Sequence, residues 1–143
     1  MKPTPEARYR LRLAQGFLQE ARQDMALGRW RAAVDNSQLS VENGAKAVLS
    51  LIGPVGRTHN PAVQLQQVLQ EGRFSPQEAP LVEALTRCAE MLGPDIHIQT
   101  DYGDEAGGCT PWELFCEDDA RQALQMAEEA YSLAERLVRG DEI

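Results

Sequence analysis

Two histidines and the basic residues ahead of them are the part of this sequence best suited to chemistry on a phosphate. Arg57 stands two residues before His59, in a stretch between helices beside Gly56. An arginine there can hold a phosphate while the imidazole donates or accepts a proton. The competing role for His59 is local: it caps the next helix or bonds a carbonyl of the one before. His97 has Arg87 ten residues ahead, across Gly93-Pro94, and is followed by Asp101 and Tyr102. Either these three residues line a groove at one end of the molecule, or Tyr102 plugs its segment onto the core while His97 faces water.

A second polar set lies upstream. Glu42 and Lys46 are four apart, the spacing of a stabilising ion pair on a helix. Asp35 and Gln38 fall on the same side, so a polar pocket is the alternative use of that face. Metal chemistry finds less support. Asp101, Asp104 and Glu105 lack calcium-loop spacing and read as a solvated acidic loop. Cys88, Cys109 and Cys116 are an odd number without framework spacing, as expected of reduced thiols, with Cys88 buried on a helix. A zinc site from Cys109, Cys116 and His97 would lack a close cysteine pair and a fourth ligand. Gly56 and Pro94 stand three before the two histidines, so the Glu-x-x-His pairs of di-metal bundles are missing. No metal and no cofactor is therefore expected. Trp30 and Trp112 read as packing residues, and either would stack on a base only if exposed.

The elements that must position these residues are helical. Thr4-Pro5 is a cap and first-turn pair, and Gly28 a stop, for a first helix to about Leu27 with Ala14, Phe17, Leu18, Ala21 and Met25 inward. A second runs from about Trp30 to Ile52, ended by Gly53-Pro54. Its apolar arc includes Trp30, Val34, Val41, Ala45, Val48 and Ile52, widened by Ala33, Gly44 and Leu51, which predicts two helical neighbours. A short third helix spans about Pro61 to Gln70. Ser75-Pro76 with Glu78 opens a fourth, which Gly93-Pro94 ends. Residues 95–116 read as a long irregular segment, of the kind that is often functional. The last helix starts at Asp118 or Asp119 and runs to about Arg139. The expected fold is all-α: one domain over residues 1–143, an up-and-down bundle of four to five helices.

Composition agrees. The 143 residues are 43% hydrophobic and only 6% aromatic, rich in helix formers. No run approaches a membrane span, and the N-terminus lacks the apolar core of a signal peptide, so no membrane partner and a cytoplasmic location are expected. The net charge of −8 is uneven: residues 1–31 carry +4 and the remainder −12. A basic first-helix face could meet nucleic acid, or its arginines could pair with acids of the last helix.

The order of these marks resembles the HEPN domain family. They are Ala33-Val34, Val41-Glu42 and Ala45 to Leu49 on the second helix, then Thr58-His59, then Asp101 to Glu105, then Pro111 and an Ala-rich final helix. In many HEPN sequences an arginine precedes that tyrosine; here Asp101 holds the place. The resemblance implies a helical bundle that dimerises and partners a small nucleotidyltransferase in a toxin–antitoxin pair, with nucleotide or RNA as ligand. It makes Tyr102 a candidate acceptor of a nucleotidyl group. Ligand contacts are then expected from Glu42, Lys46, Arg57, His59, Asp101 and Tyr102. Ribonuclease members carry an arginine followed four to six residues later by a histidine. Neither histidine here has one at that spacing, so a non-catalytic module is the leading expectation. The alternative is a metal-independent ribonuclease with a rearranged site drawn from Arg57, His59 and His97.

Overall fold

The computed structural model describes residues 3–55, 58 and 60–140. Seven helical segments follow one another: α1 (Pro5–Ala26), α2 (Trp30–Leu49), α3 (Pro61–Gln70), α4 (Ala79–Met91), α5 (Pro94–Tyr102), α6 (Pro111–Leu114) and α7 (Glu117–Val138). Among the described residues there is no strand, only one isolated antiparallel bridge between Asp104 and Cys109. No helix among them is long and apolar enough to cross a membrane.

The local chemistry explains most boundaries. The Thr4 hydroxyl accepts from the Ala7 N–H at 3.0 Å, with Pro5 in the first turn of α1. Ser75 and Glu78 exchange bonds reciprocally just ahead of α4, at 2.9 and 3.2 Å. Thr110 and Glu113 do the same for α6.

The stretch 95–116 is not irregular throughout. Pro94, expected only to end α4, also supplies the first turn of α5. The bundle thus gains one helix of nine residues and one of four beyond the five expected.

The second helix is the axis of the molecule. Every residue from Ser40 to Ser50 is buried, because α1, α3, α4, α5 and α7 all pack on α2 rather than two neighbours alone. Small residues allow close approach: a Cβ on Gly44 would stand 3.4 Å from the Ala134 Cβ of α7. The Ser40 hydroxyl donates to the Ala14 carbonyl of α1 at 2.7 Å, satisfying a group with no access to water. Leu11, Leu18, Val41, Val48, Leu65, Val82 and Leu85 are among the large apolar members of the shared core. Each contributes about 1.5–3 kcal/mol on burial. Phe17 departs from its expected inward role: it is half-exposed and outside this core, and Ala7 and Leu11 extend the stripe instead. The first and last helices are tied by Arg22 of α1, which forks onto Glu128 of α7 at 2.7 and 2.5 Å. That pair raises the Arg22 pKa and lowers that of Glu128.

Candidate functional site

The N-terminus of α2 forms the floor of an open cleft. Gly28 adopts the left-handed backbone region (φ 70°) to turn the chain between α1 and α2, and the Trp30 ring lies over it. The first N–H groups of a helix have no acceptor within it. Here no side chain caps them and no acidic residue stands in the first turn. Arg29, Trp30, Arg31, Ala32, Trp112 and Phe115 line a cleft of about 510 Å³ at this end.

The opposite wall comes from α6. Its four residues are held by the Thr110–Glu113 capping box, whose hydrogen bonds lower the Glu113 pKa. Trp112, expected to pack inside, is 73% exposed, so the packing role is corrected. α6 is only one turn long, and with Pro111 and Phe115 buried the intervening indole is left on the outer side. Trp30 is partly buried against the core.

Arg31 joins the two walls. Its Nε donates to the Thr100 carbonyl at 2.5 Å, its terminal nitrogen lies 3.5 Å from Asp101 Oδ1, and its guanidinium stands 5.7 Å from the Trp112 ring centroid. Behind it, the Thr100 hydroxyl donates to the His97 carbonyl at 2.7 Å and reaches Asp35 Oδ1 at 3.2 Å. The same Asp35 oxygen is 3.4 Å from His97 Nδ1, which makes no hydrogen bond. Asp35, His97, Thr100, Asp101, Arg31 and Trp112 therefore form one connected cluster over α2, α5 and α6.

Of the residues singled out from sequence, His97 and Asp101 belong to this cluster. Tyr102 ends α5 with 65% of its surface exposed, and so is not a plug onto the core. Glu42 and Lys46 lie elsewhere. They are buried inside the bundle, with Lys46 Nζ donating to Glu42 Oε2 at 3.2 Å and Gln38 Nε2 reaching Glu42 Oε1 at 3.4 Å. Arg57 and His59 lie outside the described residues. Cys88 is buried, which pushes its thiol up to about 11, whereas Cys116 is exposed and Cys109 intermediate. Among the described residues no three His, Cys, Asp or Glu side chains form a metal-holding group.

Sequence reasoning missed Arg29 and Arg31 as site residues. The arginines are ordinary on a helix surface, and Arg31 gains its role from partners about 70 and 81 positions away. One local signal did exist: Thr110-Pro111-Trp112-Glu113 is a capping-box sequence that forces a turn with its tryptophan in the middle.

An all-helical bundle packed around one axial helix, buried along residues 40–49, defines the class. The HEPN domain family matches residues 7–137, and the chain belongs to that family. A crystal structure of TT1696 from Thermus thermophilus is similar in fold, with TM-score 0.68 and 19% identity over 94% of this chain and 99% of that one. No curated protein matches the chain.

Proposed function

We propose that this chain is a non-catalytic HEPN module that binds a nucleotide in the α2–α6 cleft and acts as partner of a small nucleotidyltransferase, in a toxin–antitoxin-like pair. The observation that carries the nucleotide reading is the exposed Trp112 ring with the Arg31 guanidinium beside it, at the mouth of a cleft floored by an uncapped helix N-terminus. An exposed indole offers a base a stacking surface. Arg29, Arg31 and the free N–H groups of α2 offer phosphates both charge and hydrogen-bond donors. The partnership is supported by family membership and by the missing ribonuclease spacing, and the exposed Tyr102 near Asp101 is its candidate acceptor.

Calorimetric titration of the purified protein with adenosine nucleotides tests the cleft. Binding in the micromolar to millimolar range is expected, weakened at least tenfold by Trp112→Ala and by Arg29→Ala. Unchanged affinity in both variants refutes it. Native mass measurement of the protein drawn from its host tests the partnership, which fails if no nucleotidyltransferase accompanies it.

One observation favours the enzymatic reading: Asp35 stands against His97 Nδ1, one helical turn after Arg31, placing an imidazole near a cation. That reading requires metal-independent RNA cleavage that His97→Ala abolishes. Full cleavage by this variant excludes His97 as its base.

A further inference from the structure

We propose that the groove between α3 and the α4–α5 corner docks a cationic amphipathic helix of a partner protein. The groove measures about 410 Å³. Its floor includes the small, buried side chains of Ala62 on α3 and Ala89 on α4, which leave depth for an incoming side chain. Its walls are apolar yet face water: Val63 is 58% and Met91 65% exposed. Ile98, three positions after Asp95, is also mostly exposed and carries the apolar surface along α5. Single exposed hydrophobic residues are ordinary, whereas several gathered at one groove mark a contact surface. Met91 suits that use, because an unbranched thioether moulds itself to what it meets.

Charge selects the occupant. Glu90 and Asp95 stand on the rim, and no described lysine or arginine lines the groove. Arg87, one turn before Met91 on α4, is not among the lining residues. The Gln66 amide donates to Glu90 Oε1 across the α3–α4 contact, which fixes that carboxylate without neutralising it. Neither acid has an ion-pair partner among the described residues. An acidic or phosphate-bearing ligand would be repelled here, in contrast to the cleft lined by Arg29 and Arg31, which shares no lining residue with this groove. A helix with leucines on one face and lysines or arginines beside them does both things the groove asks for. The leucines enter as anchors, and the cations meet Glu90 and Asp95. The aliphatic stems of those cations cover the remaining apolar rim.

The experiment is fluorescence anisotropy of a labelled leucine–lysine amphipathic helix titrated with the full chain, with circular dichroism to verify that each variant folds. Micromolar binding is expected. A peptide of the same composition but scrambled order, lacking an apolar face, should bind at least tenfold more weakly, and so should a leucine–glutamate counterpart. Met91→Ser should weaken binding about tenfold and leave its salt dependence unchanged. Glu90→Gln combined with Asp95→Asn should weaken it about fivefold and flatten the salt dependence. Both sets of positions are exposed, and glutamine at 90 can keep the bond to Gln66. Equal affinity for the scrambled peptide, or indifference to Met91→Ser, would reveal general attraction to an acidic chain and overturn the proposal. Self-association of the wild-type chain that Met91→Ser abolishes would give the groove to a second copy and overturn it too. Nucleotide binding should persist in all these variants, which separates failure here from failure of the α2–α6 cleft.

Discussion

Replacing Gly103 by alanine tests how the fold holds the cleft open. Gly103 ends α5 with φ 70° and ψ −148°, a conformation nearly restricted to glycine. A methyl group there would stand 2.1 Å from the Cys109 carbonyl oxygen, 2.8 Å from the Thr110 carbonyl carbon and 2.9 Å from the Pro111 nitrogen. All three are backbone, so no rotamer change can make room. The turn must open, breaking the reciprocal Asp104–Cys109 bonds of 2.8 and 2.9 Å. Those two hydrogen bonds are worth about 1 kcal/mol each, and the backbone strain that replaces or accompanies their loss adds about 1–2 kcal/mol. A destabilisation of about 3 kcal/mol follows, about 10 °C in midpoint temperature for a chain of this length. The turn leads directly into Thr110 and α6, so Trp112 should leave its place beside Arg31. Chemical denaturation gives the stability change, and nucleotide titration should show weakened binding in a variant that remains folded. A stability loss under about 0.5 kcal/mol with unaltered nucleotide affinity would refute the claim that this turn fixes the cleft wall.

Thiol labelling of the native protein should show Cys116 reacting first and Cys88 only on unfolding, since burial raises the Cys88 pKa to about 11; rapid labelling of all three contradicts this. The Arg22–Glu128 fork has a definite pH signature. The folded pKa of Glu128 lies below its unfolded value, so its contribution is present above the ordinary carboxylate range and fades as pH falls through the folded value. Arg22→Ala should therefore cost at most about 1 kcal/mol near neutrality, the pair being solvent-screened, and almost nothing at strongly acid pH; an equal loss at both would count against the pairing. Gly44→Val should overpack the α2–α7 contact and cost about 1–3 kcal/mol by denaturant titration. An unchanged midpoint would show that the helices have room to part.

The first and third helices could be read from the sequence, because a capping or stopping residue at a boundary coincides there with a helical apolar period. Thr4-Pro5, Gly28 and Gly72 are of this kind. The missed α5 is different. Ile96 is half-buried and Ile98 is 55% exposed, so its apolar residues do not gather on one face and leave no helical period to detect. The ion pair of Glu42 with Lys46 was legible because its spacing is local, whereas Asp101, read as part of a solvated acidic loop, lies in α5 beside Arg31. The cleft was not legible: Arg31, Thr100, Asp101 and Trp112 meet only after α5 folds back on the start of α2. Trp112 defied the usual burial of an indole because α6 is too short to turn it inward.

The burial of α2 on every side has a consequence during synthesis. The face at Gly44 that α7 covers has no partner until residues up to Val138 have been made. From Leu49 onward that takes roughly 4–18 s at ordinary elongation rates. Through this interval the Gly44 face of α2 stands uncovered on the nascent chain. A truncated chain ending before Glu117 would keep that seam permanently open, and should collect in the insoluble fraction.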